Sequence, residues 1–87
     1  MLHRSEINKI MNLNDIIKKN FKLSADTEIN DEHGPGDLDG WDSLGHVILI
    51  NAIQKEYSIL IDMDEMIEIE SILDIRKLLE TKGVSAF

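Results

Sequence analysis

Eighty-seven residues with a net charge of −8 and no cysteine describe one small domain that can have neither a disulfide framework nor a thiolate metal site. Hydrophobic residues make up 43% of the chain, yet only one Trp, one Tyr and two Phe are present, so the core must be built from Ile and Leu with some Met. No apolar run approaches membrane-spanning length, and the polar start Met1-Leu2-His3-Arg4-Ser5-Glu6 does not read as a signal peptide; a soluble, cytoplasmic monomer is expected.

The charge is unevenly spread. Between Ser24 and Ile75 fourteen Asp or Glu face a single base, Lys55, while Arg4, Lys9, Lys18, Lys19 and Lys22 make the first segment mildly basic. Such a field repels nucleic acid and anionic lipid and steers basic protein surfaces toward the middle of the chain.

In chain order, Ser5 to Asn20 has helical spacing. Ile7, Ile10, Met11, Leu13, Ile17 and Phe21 fall on one face, opposite Asn8, Asn12, Asp15 and Lys19, with Ser5 as N-cap. From Lys22 to Asp42 the pattern breaks. The segment holds the only Pro, three of the five Gly and, after Lys22 itself, seven acids and no base. Leu23, Ile29 and Leu38 are spaced as anchors, so this 22–42 connection is expected to be an ordered loop, with a short helical turn near Asp26 to Ile29. Ser43 to Tyr57 reads as the second helix. One stripe carries His46, Ile50, Ile53 and Tyr57 and faces inward; the opposite stripe, Leu44, Ile48, Asn51 and Lys55, is left to a partner. Asp62 to Ile67 is a short acidic helix with Met63, Met66 and Ile67 as its apolar side. Ser71-Ile72-Leu73-Asp74 is close to a capping box and opens a last helix that runs to about Lys82, burying Ile72, Ile75, Leu78 and Leu79, with Gly83 at C′. Residues 84–87 form a loose tail. The fold class is all-α: three main helices and a short third.

The chemistry-bearing stretch is Gly40-Trp41-Asp42-Ser43-Leu44-Gly45-His46, which closes the acidic loop and starts the apolar helix. Asp42, Ser43 and His46 mimic a hydrolase triad, but three side chains within one helical turn supply neither the base between nucleophile and carboxylate nor an oxyanion hole. The loop acids mimic calcium ligands. Counted from Asp26 or from Asp37, however, the positions that need Gly and Glu hold Asp31 and Asp37, or Asp42 and Ile48. His3, His33 and His46 lack ligand spacing, so no metal is expected. What remains is one hydroxyl, Ser43, in the first turn of a helix, where free N–H groups favour an attached negative charge.

At this point the chain resembles the acyl carrier proteins, over about Ile7 to Leu79. Gly40-Trp41-Asp42-Ser43-Leu44 resembles the family's phosphopantetheine-attachment motif, with Ser43 on the modified serine. Lys55-Glu56-Tyr57-Ser58-Ile59 resembles the family's helix end, and Ile61, Ile69 and Ile72 fall on its core aliphatic positions. The resemblance implies a four-helix bundle with no catalytic residues of its own. A separate phosphopantetheinyl transferase would attach 4′-phosphopantetheine to Ser43, with Asp42 helping to present the site. The arm would carry acyl or aminoacyl groups as thioesters to activating and acyl-transfer enzymes of fatty-acid, polyketide or specialised biosynthesis. This chain departs from the family where outward acids of the second helix give way to Leu44, Ile48, Asn51 and Lys55, and where Gly45 replaces a frequently acidic position. Partners are therefore expected on an apolar Leu44/Ile48 patch rimmed by acids. Trp41 has two readings: an anchor of the loop beside Leu38, which is the favoured one, or contact with the arm or a partner, with whose face it is grouped. An unmodified helical interaction module is the competing reading.

Overall fold

A computed structural model describes residues 11–87. Among them four helices form and no strand: α1 (Leu13–Phe21), α2 (Ser43–Tyr57), α3 (Met63–Glu68) and α4 (Ile72–Thr81). None is long and apolar enough to cross a membrane.

The first helix does not run unbroken from Ser5. Asn12 is extended (φ −75°, ψ 164°) and its side chain accepts from the Asp15 N–H at 2.9 Å, which makes it the N-cap of α1. A capping amide competes with helical continuation, and here it wins; Ser5, Ile7 and Ile10 lie outside the described residues. Leu13, Ile16 and Ile17 are buried, and Phe21 packs partly against the core. Ile16 joins the expected face because it lies three residues from Leu13 on that stripe.

α2 is the spine. Gly45, Leu49, Ile50, Ile53 and Tyr57 are buried along it, while Leu44, Ile48, Asn51 and Lys55 are exposed, in line with the two stripes. Its C-terminal end grips the start of α1: the Tyr57 hydroxyl donates to the Met11 carbonyl at 2.8 Å, and the Glu56 carboxylate accepts from the Met11 N–H at 2.8 Å. Both backbone polar groups of Met11 are thereby satisfied.

α3 is closed at its start by a capping box, with Asp62 and Glu65 each accepting from the other's N–H. The backbone bond from Asp62 and the Lys82 ammonium, 3.0 Å away, hold the Glu65 carboxyl below the usual carboxylate range. The expected apolar side of this helix is only partly inward. Met66 packs against the core, but Met63 and Ile67 are 68% and 67% exposed. Six residues are too few to bury a stripe, and the flanking Ile61 and Ile69 supply the core contacts instead.

α4 buries Ile72, Ile75 and Leu79, with Leu78 partly covered. Ser71 caps it. Asp74 reaches the Glu70 N–H at 2.9 Å, one residue beyond the cap expected for a capping box. At its end, Gly83 (φ 89°) donates to the Glu80 carbonyl and Val84 to the Leu79 carbonyl, a Schellman turn. The tail after it is not loose. The turn sends Val84 and Phe87 back onto the core, and the Phe87 carbonyl accepts from the Leu13 N–H, an orphan donor of α1's first turn. Arg76 gathers this corner. Its guanidinium bonds Asp31 (2.9 Å) and Asn14 (3.0 Å) and lies 6.0 Å from the centre of the Phe87 ring.

The 22–42 loop is ordered, as its anchors imply: Leu23, Ile29 and Leu38 pack on the core. No helical turn forms near Asp26 to Ile29. A tight turn closed by Thr27 N–H to the Ser24 carbonyl stands there instead. Further on, the His33 and Asp31 carbonyls accept from Ile72 and Leu73, satisfying the free donors of α4.

Burial raises the Tyr57 phenol above its ordinary value, the Glu56 charge adds to this, and Arg76 opposes it. A raised folded value means that stability is complete below the unfolded tyrosine pKa and declines as the pH rises through the folded one. Because Tyr57 is the only tyrosine, alkaline difference absorbance reads it alone. The phenolate should appear at a higher pH in the folded protein than in urea, and coincident midpoints would show the hydroxyl to be unconstrained.

Candidate functional site

The residues around Ser43 are set by two glycines and a tryptophan. Gly36 and Gly40 adopt positive φ (93° and 88°), which other residues rarely tolerate. Between them Gly36 donates to the Trp41 carbonyl at 2.7 Å and Trp41 to the Leu38 carbonyl at 3.0 Å, folding the loop end into a compact turn. The Gly40 carbonyl then lies so close to α2 that a Cβ on Gly45 would stand 1.9 Å from it. Gly45 is thus a packing requirement. It is buried and presents nothing to a partner.

Trp41 is 1% exposed. The partner-facing assignment is therefore corrected and the anchor alternative holds. The indole stacks against Phe21 (centroids 5.9 Å apart) and faces the His46 ring (6.1 Å). Its Nε1–H donates to His46 Nδ1 at 2.9 Å, while His46 Nε2 lies 3.0 Å from the Met66 carbonyl oxygen. A buried indole N–H needs such an acceptor. Two elements, the loop and α3, are thus joined through one imidazole on α2.

Asp42 is the N-cap of α2, its carboxylate accepting from the Gly45 N–H at 2.7 Å. Ser43 follows as the first helical residue and is exposed. The Asp42, Ser43 and His46 set does not assemble as a triad: both imidazole nitrogens face other partners, and the carboxylate serves the helix end. The expected pool of free N–H groups beside the serine is also smaller than anticipated, because Asp42 has taken one and placed its own negative charge at the positive end of the helix dipole.

Beside Ser43 runs an open groove of about 550 Å3. Pro35, Gly36, Trp41 and Asp42 line it from the loop, Ser43, His46 and Val47 from α2, and Met66, Ile67 and Ile69 from the α3 side. Of the residues expected to meet partners, Leu44 (69% exposed), Ile48 (48%) and Asn51 lie outward. Val47, Met63 and Ile67 are exposed too, and the sequence pattern had placed the last two inward. Their signal is the brevity of α3, which the sequence already shows.

Comparison with protein-family models and with curated proteins finds no match for this chain.

A Gly45→Ala substitution tests whether the loop is seated on α2 as described. The added methyl meets backbone rather than a yielding side chain, so the unfolding free energy should fall by roughly 1–3 kcal/mol. An unchanged urea midpoint would mean that the Gly40 carbonyl does not press on this turn.

Proposed function

We propose that this protein is a stand-alone carrier of the acyl-carrier type, with Ser43 as the attachment point for 4′-phosphopantetheine. The observation that carries the reading is a hydroxyl displayed without being activated. Ser43 is exposed on the first turn of a firmly capped helix, and its neighbouring histidine and aspartate are engaged elsewhere. A serine so placed suits modification by another enzyme better than nucleophilic attack of its own.

The residues present fit such a group. Attachment to the exposed oxygen requires no displacement of core side chains, and Val47, Met66 and Ile67 offer apolar surface along the adjoining groove. Asp42 offsets part of the attraction a helix N-terminus has for a phosphodiester, so the covalent bond, rather than anion binding, would hold the group. When bound, its terminal thiol supplies thioester chemistry to a protein without cysteine. In this role Asp42 fixes the turn that a phosphopantetheinyl transferase would meet. Leu44, Ile48 and Asn51, joined by Val47, Met63 and Ile67, form the face for activating and acyl-transfer enzymes. Acyl and aminoacyl or peptidyl cargo are equally compatible with this site. The exposed apolar stripe also suits a second reading, an unmodified helical interaction module, which would need the stripe and not the serine.

Intact mass after incubation with coenzyme A, magnesium and a broad-specificity phosphopantetheinyl transferase separates the two. The parent chain should gain one phosphopantetheine and Ser43→Ala none. A folded parent that stays unmodified with more than one transferase would favour the interaction module. On the loaded protein, Ile48→Glu should slow acyl transfer, with less sensitivity to salt in the parent than an all-ionic contact would give. Unchanged transfer kinetics would remove Ile48 from the interface.

A further inference from the structure

We propose that His46 is a positioning residue that ties the Ser43 turn to α3 only while its imidazole is neutral, so that the turn and the groove beside it respond to pH. The hydrogen-bond inventory forces this. An indole N–H can only donate, so His46 Nδ1, 2.9 Å from Trp41 Nε1, must present a lone pair. A carbonyl oxygen can only accept, so His46 Nε2, 3.0 Å from the Met66 oxygen, must carry the hydrogen. One protonation state and one tautomer satisfy both partners: neutral, with the proton on Nε2.

Adding a proton to Nδ1 sets two N–H groups against each other. Trp41 is 1% exposed and packed on Phe21, so its N–H has no ready path to water. The contact must then open, either by rotation of the imidazole away from α3 or by movement of the 34–41 turn. Either route alters the walls of the groove in which Ser43, Trp41, His46 and Met66 all take part.

The groups around His46 neither replace nor duplicate this device. From the loop come Pro35, Gly36, Trp41 and Asp42; from α2, Ser43 and Val47; from the α3 side, Met66, Ile67 and Ile69. Asp42 is the one charged side chain among these. Its carboxylate attracts an imidazolium and so works against the neutral form, but it is exposed, screened by water and already bonded to the Gly45 N–H. No comparable charge faces the ring from the α3 side of the groove. The neutral ring closes the link, and acid strong enough to protonate Nδ1 opens it.

The proposal rests on this geometry and not on the carrier reading, and its test needs no cofactor. Trp41 is the only tryptophan, so its emission reports the contact directly. Between about pH 8 and about pH 5 the emission of the full chain should move to longer wavelength as one protonation proceeds. A His46→Gln variant, which keeps a donor and an acceptor without titrating, should hold its emission constant over the same interval. Nitrogen NMR of the unmodified protein at the alkaline end should show His46 as the Nε2–H tautomer, a readout that survives even if the variant folds poorly. A flat emission profile in the parent, the same transition in His46→Gln, or an Nδ1–H tautomer would each overturn the proposal.

Discussion

The packing of the 22–42 connection onto α2 is the constraint on which the rest of this small protein depends. It works because two glycines let backbone meet backbone where no side chain fits: Gly40 turns the chain and its carbonyl presses on Gly45 in the first turn of the helix. Into the space behind them goes Trp41, the largest buried side chain, wedged between Phe21 of α1 and His46 of α2. A single indole can bury on the order of 200 Å2. In a core otherwise made of Ile, Leu and one Tyr, that is the largest contribution of any one residue. The loop is therefore a structural element, and the Ser43 turn inherits its rigidity.

Helix ends matter as much as the core here. The four helices have nine, fifteen, six and ten residues, lengths at which isolated helices are marginal in water or worse. Asn12, Asp42, Asp62 and Ser71 cap them at the start, each accepting from the third residue of its helix; a cap of this kind contributes roughly 1 kcal/mol. At the other end, Lys22 and Ser58 take positive φ without being glycine (57° and 55°), at a cost of roughly 1–2 kcal/mol each. The chain bears it because the following N–H groups close on Lys18 and Gln54 carbonyls and turn the backbone toward the next element. Capping also explains why α1 starts at Leu13: Asn12 is extended and caps it, and the Tyr57 hydroxyl and Glu56 carboxylate hold Met11 just before it.

The surface divides by the same logic. Acids fill the loop and the approaches to α3, while the outward side of α2 is apolar at Leu44, Val47 and Ile48, and Met63 and Ile67 of α3 are exposed. Single exposed apolar side chains are ordinary, but Val47 and Ile67 stand together on the wall of the Ser43 groove. On the proposed carrier reading, acids around an apolar centre would let charge guide a basic partner while dehydration of the centre holds it.

The sequence by itself determined the all-helical class, the bounds of α2 at Ser43–Tyr57, the cap at Ser71, the two stripes of α2 and the singular position of Ser43. These are local properties, set by periodicity and by which side chains can cap a helix. Tertiary structure alone decided the rest. Trp41 could anchor the loop or face a partner, and only the position of Phe21 and His46 buried it. Gly45 could be a missing acid, and only the approach of the Gly40 carbonyl made it a necessity. Met63 and Ile67 have helical spacing for an inward face, but six residues of α3 offer too little surface for one, so the neighbouring Ile61 and Ile69 went inward instead. Phe87 looked free until a carbonyl was needed for the first N–H of α1. Phe21 and Phe87 lie far along the chain from the residues they meet, where spacing carries no information; Gly40 and Gly45 are close in sequence but meet only because the loop end folds back onto α2.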